Sequence, residues 1–164
     1  METIEHTDAP FALRRGRGVA YCALSWALVV AWVLLIWFVS AHTGAEVDND
    51  LGIVTQLKRV LYDLAAPIMG SGVDVSAVGH FFEYFVLGAL LVNALASHFD
   101  LSAALPLSVA LASAYGVLDE FHQFYVPGRS CDPLDWAVDT AAVVIAAALC
   151  AFVFRSPNEK STSK

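Results

Sequence analysis

Residues 19–41 contain no Asp, Glu, Lys or Arg, and three further apolar stretches follow at about 80–97, 102–125 and 133–154. Nothing else in the chain restricts its fold as strongly. At a rise of ~1.5 Å per residue, about twenty helical residues cross the ~30 Å hydrocarbon layer of a bilayer. Backbone N–H and C=O groups in hydrocarbon must satisfy one another, so a lone apolar run of this length folds as a helix. The four runs predict an all-α protein, a four-span transmembrane helical bundle. The composition agrees: 58% of residues are hydrophobic and 15% charged, whereas soluble domains lie nearer roughly a half and a quarter.

The 164 residues suffice for one domain. Residues 19–154 are expected to form it, with polar tails at 1–18 and 155–164. Arg14 and Arg15 form a pair of the kind found in twin-arginine signals, but they read as the basic flank of the first span. Val39-Ser40-Ala41 resembles a small-residue cleavage site. The apolar run before it exceeds the ~7–15 residues of a signal-peptide core, so it is read as a retained span. Trp32 and Trp37 are assigned to lipid contact or packing.

The connections carry their own signals. Leu51, Val54, Leu57, Leu61, Leu64 and Ile68 recur at helical spacing, with Gln56, Lys58, Arg59 and Asp63 off that stripe. This pattern predicts a short amphipathic helix in the first connection, ending near Pro67 and lying at the interface or capping the bundle. Gly70-Ser71-Gly72 makes a turn. Ser97-His98-Phe99-Asp100 is a tight connection. Ser102 is predicted to cap the third helix, with Pro106 in its first turn. Asp132-Pro133 reads as N-cap and first helical residue of the fourth.

Six of the nine Lys and Arg residues lie in the two terminal tails. With four spans both tails share one side, and the positive-inside rule assigns that side to the cytoplasm. The first and third connections then face outward. The net charge of −7 argues against a nucleic-acid partner, which requires a basic face. Cys22, Cys131 and Cys150 form no CxxC pair, and neither HExxH nor a paired HxxxH occurs. The sequence thus carries no metal-site or cofactor motif, and none is expected.

This topology brings four polar patches to similar depth at one end. The second span opens with His80, Glu83 and Tyr84, and the third closes with Asp119, Glu120, His122 and Gln123. The third connection supplies Arg129, and the fourth span opens with Asp135 and Asp139. His80 shares a helix face with Glu83 and Tyr84, Asp119 with Gln123, and Asp135 with Asp139. Carboxylates beside a membrane span are costly, so an inward arrangement near Arg129 or His80 is favoured. The coincidence predicts a polar pocket for a ligand or headgroup. Three other readings stay open at this stage: a structural ion-pair network, acid–base catalysis by paired carboxylates, and a divalent-cation site. Taken singly, His80 fits a helix-start interface residue, Asp132 a cap, and His122 a solvent-facing residue in an aromatic belt with Phe121, Phe124 and Tyr125.

Three blocks of the sequence resemble the VanZ-like family of small bacterial membrane proteins. They are Gly79-His80-Phe81-Phe82-Glu83-Tyr84-Phe85-Val86-Leu87-Gly88, the block from Asp119-Glu120-Phe121-His122-Gln123 to Pro127-Gly128-Arg129, and residues 135–140. Phe38-Val39-Ser40 is a weaker echo, and the likeness covers about residues 30–150. The resemblance implies a multi-span integral protein of the bacterial cell membrane. It places the family's polar positions on His80, Glu83, Tyr84, Asp119, Glu120, Gln123, Arg129 and Asp135, with Asp139 at a position often Asn or Asp. It also carries the family's association with teicoplanin resistance, and implies no particular reaction. Ala142 and Ala146 stand where the family usually has glycine, a departure that argues against close helix approach there.

The function expected from these observations is non-enzymatic. A cell-envelope ligand, such as a membrane lipid headgroup or a peptidoglycan precursor, would sit in the outward pocket. Arg129 would take its anion, and His80 and Gln123 would orient it. Glu83, Asp119, Glu120 and Asp135 would set charge and polarity. The alternative is a membrane hydrolase or transferase with Glu83 or Asp119 as base.

Overall fold

A computed structural model describes residues 18–41, 60, 63, 75–127, 129 and 131–155. The amphipathic helix expected over 51–68 lies outside the described residues, apart from its isolated Val60 and Asp63. Among the described residues the chain is all helical: α1 (Val19–Ser40), α2 (Val75–Leu95), α3 (Leu101–Gln123) and α4 (Pro133–Arg155). All four are long and apolar enough to cross a membrane, as the sequence predicts.

The helix boundaries follow local chemistry. α4 starts as expected: the Asp132 Oδ1 accepts the Leu134 N–H at 2.9 Å, with Pro133 at the first helical position. α3 differs from expectation. Its N-cap is Asp100, not Ser102, because the Asp100 carbonyl already accepts the N–H groups of Ala103 and Ala104, both at 2.9 Å. Pro106 therefore sits inside the helix, beyond its first turn, where it has no N–H to donate to the Ser102 carbonyl.

α2 is the hub. It packs most extensively on α4 and also contacts α1 and α3, while α1 and α3 meet only lightly. The core between the helices is built from Ile36, Tyr84, Leu87, Leu91, Ala94, Ala112, Ala142 and Val143. Outward faces carry large apolar side chains such as Leu24, Leu34, Leu118, Phe121, Leu149 and Phe152. That inversion suits lipid as the solvent. With no hydrophobic force to drive helices together in lipid, small residues at the interfaces decide how closely they pack.

The α2–α4 contact depends on one such residue. A Cβ on Gly88 would lie 3.1 Å from the Val143 Cα and 3.2 Å from the Ala146 Cβ. Close approach at the last span therefore occurs, contrary to the expectation drawn from Ala142 and Ala146. The missing volume is supplied by a glycine on the facing helix.

Side-chain bonds fix how the ends align. The Gln123 Nε2 donates to the Ser40 Oγ, which brings the C-terminal ends of α1 and α3 together. His80 meets Asp139, which does the same for the N-terminal ends of α2 and α4. At the other end Tyr21 on α1 donates to Asn93 on α2. The bundle therefore has an Asp119 end and an Asn93 end.

Candidate functional site

The Asp119 end is assembled from all four helices. On α3, Asp119, Glu120 and Gln123 are all buried. Asp119 and Gln123 lie one turn apart, and the Gln123 Nε2 is shared between the Asp119 Oδ2 and the Ser40 Oγ, each at 3.2 Å. Glu120 is rotated ~100° around the helix and faces the start of α4. There its Oε2 accepts the Asp132 backbone N–H at 2.8 Å. Asp132 thus caps α4 with its side chain and orients Glu120 with its amide.

α2 and α4 close the site from the other side. The His80 Nδ1 lies 3.5 Å from the Asp139 Oδ1, with both side chains almost wholly shielded from solvent. Tyr84 is fully buried one turn below His80. Its ring leans against Tyr115 at a centroid spacing of 6.2 Å. Gly116 forms part of the wall: a Cβ there would lie 3.2 Å from the Trp136 Cδ1, 3.5 Å from the Tyr84 Cε1 and 3.8 Å from the Asp139 Oδ2. Trp136 is held in turn by Ser113, whose carbonyl and hydroxyl oxygens both accept its indole N–H at 3.2 Å.

α1 contributes indole and carbonyl groups. The Trp32 Nε1 donates to the Glu83 carbonyl at 2.9 Å, and the Tyr115 hydroxyl donates to the Val33 carbonyl at 2.9 Å. These bonds tie α1 to the segments that carry Glu83 and Tyr115.

Charge is concentrated here. Glu83, Asp119 and Asp139 all lie within electrostatic reach of His80. Arg129 acts on Glu83, and Asp135 acts on both Glu120 and Asp139. Five carboxyl groups therefore share one neighbourhood with an imidazole and a guanidinium, in surroundings where like charges are poorly screened. Several buried polar atoms in it have no hydrogen-bond partner within the protein: the His80 Nδ1, Tyr84 hydroxyl, Asp119 Oδ1, Glu120 Oε1 and both Asp139 carboxylate oxygens. Such atoms are uncommon in native proteins, and each costs about 1–3 kcal/mol.

The residues singled out in the sequence thus fall into two groups. His80, Tyr84, Asp119, Glu120, Gln123 and Asp139 are buried together, and Glu83, Arg129 and Asp135 are half-buried around them. His122 does not point to solvent. It stacks on Trp37 with ring centroids 3.8 Å apart and planes inclined by 26°. Trp37, Trp32, Ser40, Tyr115, Gly116 and Trp136 all support the site without having been singled out for it. Of these, Ser40 had a signal in the Phe38-Val39-Ser40 echo, Trp136 in the 135–140 block, and Tyr115 and Gly116 at the head of the polar stretch that runs to Arg129. The others act through contacts between helices distant in sequence.

Three of the buried ionisable groups form a compact set. Ligand-type atoms of His80, Glu120 and Asp139, one from each of three helices, all lie within 4.8 Å of one another.

Comparison with known proteins covers the same ground. A model of the VanZ/LLP1 family matches residues 25–155, a range that contains every residue of the site. No curated protein and no solved structure matches the chain.

Proposed function

The chain belongs to the VanZ-like family, and from that premise we propose that its Asp119 end is a binding pocket for a cell-envelope ligand. The observation that carries the reading is the set of buried, unpartnered polar atoms on Tyr84, Asp119, Glu120 and Asp139. A network that served only to hold helices together would pair its members, because an unpaired group works against stability. Unpaired acceptors that converge from different helices are instead matched to donors on another molecule.

The chemistry of the pocket describes that molecule. Its acceptors call for hydroxyl, amide or ammonium donors, and Arg129 at the margin suits an anion. A phospholipid headgroup and a peptidoglycan precursor both combine these features, and both are found where membrane meets cell wall. The six Lys and Arg residues in the terminal tails argue for a cytoplasmic location of both tails, which turns the Asp119 end outward in a bacterial cell membrane. A link to glycopeptide resistance follows if the ligand is a wall precursor.

Native mass spectrometry of the detergent-purified protein tests the proposal. Wild-type protein is expected to retain a lipid or precursor, and Arg129→Ala to lose it while remaining folded. Equal retention by both, or none by the wild type, would argue against it.

A catalytic reading has one observation behind it: Gln123 fixes one oxygen of Asp119, and the other, buried, is unpartnered, as a positioned base would be. Asp119→Asn keeps the shape and removes the basicity. Loss of turnover of a wall precursor with binding retained would favour the enzyme.

A further inference from the structure

The acidic cluster contains a smaller set with a different character. His80, Glu120 and Asp139 are 6%, 4% and 0% exposed. The His80 Nδ1, Glu120 Oε1 and both Asp139 oxygens have no hydrogen-bond partner in the protein, yet all three residues bring ligand-type atoms within 4.8 Å of one another. We propose that His80, Glu120 and Asp139 bind a divalent cation of the zinc class.

Geometry supports the assignment. Two donors, each about 2.1 Å from a tetrahedral zinc ion, lie about 3.4 Å apart. The His80 Nδ1 and Asp139 Oδ1 are 3.5 Å apart, the spacing of a loose ion pair and also a good edge of a coordination polyhedron. Glu120 completes the set with a carboxylate oxygen within 4.8 Å of the other two donors. Its Oε2 is anchored by the Asp132 N–H, the kind of outer contact that orients metal-binding carboxylates, and its Oε1 is buried without a hydrogen-bond partner.

Ligand chemistry selects the cation. An imidazole disfavours Mg²⁺ and Ca²⁺, which prefer oxygen-only shells, and suits Zn²⁺ with Co²⁺ and Mn²⁺ as congeners. Two carboxylates and one divalent cation sum to zero charge, which removes the main objection to placing Glu120 and Asp139 inside a membrane-spanning bundle. The three donors come from α2, α3 and α4, so the ion would fasten the three helices at this end of the bundle. Three protein donors leave a coordination position for an outside oxygen. A cation held here takes the Glu120 and Asp139 oxygens and leaves the Tyr84 hydroxyl and the Asp119 Oδ1 to the envelope ligand.

The test is the metal content of the full-length protein, purified in detergent with a histidine-free affinity tag, stripped with chelator and dialysed against Zn²⁺. The wild type is expected to hold a single equivalent. His80→Ala and Asp139→Asn are expected to bind at least ~100-fold more weakly, since even losing an outer-shell contact costs ~10–100-fold. A variant with Cys22, Cys131 and Cys150 replaced by serine is expected to keep the ion, which separates this site from adventitious thiolate binding. Should the ligand variants fail to fold, Co²⁺ loading of the wild type decides: visible bands of a nitrogen–oxygen site without thiolate charge transfer support the proposal, and a hexa-aquo spectrum overturns it. A stoichiometric wild type whose His80→Ala variant holds the ion equally well overturns it, as does a wild type that binds less than a tenth of an equivalent. Retained lipid is counted separately on the same samples, so failure of the metal site and failure of the headgroup pocket are distinguished.

Discussion

The two ends of the bundle treat their polar residues in opposite ways. At the Asn93 end the groups that join the helices are bonded to one another. The Tyr21 hydroxyl donates to the Asn93 Oδ1 at 2.6 Å, and the Asn93 Nδ2 donates to the Ser25 Oγ at 3.2 Å. The Trp26 indole donates to the His98 Nε2 at 2.9 Å. At the Asp119 end the groups are ionisable, more deeply buried and left with unpartnered atoms. Both ends join helices across a membrane span, so span packing alone does not explain the difference. The Asn93 end is a fastening between α1 and α2. On the proposed reading, the Asp119 end gives up some stability for polar atoms directed at another molecule, as binding sites commonly do.

The largest effect should come from filling the wall of the pocket. Gly116→Leu places side-chain atoms against Trp136 and Tyr84, and overpacking of this kind costs about 1–3 kcal/mol. Thermal unfolding in detergent and native mass spectrometry should show lower stability and loss of ligand together. If Gly116→Leu keeps its ligand, the pocket does not lie between α3 and α4.

Two substitutions of intermediate size set the ends directly against each other. Asn93→Ala removes two interhelical hydrogen bonds, each worth on average ~0.6 kcal/mol in a membrane protein. It should lower stability by about 1 kcal/mol and leave ligand retention unchanged. Asp119→Asn replaces a buried carboxylate with a neutral isostere that still accepts from Gln123 and adds a donor among acceptors. It should be neutral or raise stability by about 1 kcal/mol, while ligand retention falls. Opposite signs in stability and opposite outcomes in binding would sharpen the distinction, and matching outcomes would erase it.

The smallest effect is expected at the margin of the site. His122→Ala loses the stack on Trp37, worth about 0.5–1 kcal/mol, and should not alter ligand retention. A clear loss of ligand in this variant would extend the pocket to the α1–α3 seam.

Much of this arrangement was legible in the sequence, and the unread part has a common cause. The spans could be read because hydropathy is local, and the Asp132-Pro133 start of α4 because capping chemistry is local as well. The convergence of acids followed from alternating helix direction, which needs only a count of spans. What could not be read depends on which helices are neighbours. Gly88 is one residue among many until Val143 is known to face it. His122 sits among aromatic residues typical of an interface, and nothing nearby in sequence points to Trp37. The Tyr21–Asn93–Ser25 chain joins residues whose local patterns are ordinary. A divalent-cation site stays open in the sequence, but which donors would form it cannot be read there, because metal motifs are read from spacing along one segment and His80, Glu120 and Asp139 come from three helices. Ser102 was taken for a cap because serine is a good one, but the helix had already begun on the Asp100 carbonyl.

The most direct test of the central claim is to follow thermal unfolding and bound lipid or precursor in the same detergent samples of wild type and Asp119→Asn. The account predicts a variant that unfolds at the same or higher temperature and has lost its ligand. A variant that unfolds at a lower temperature with its ligand still bound would contradict it, and would make the Asp119 end a fastening like the other.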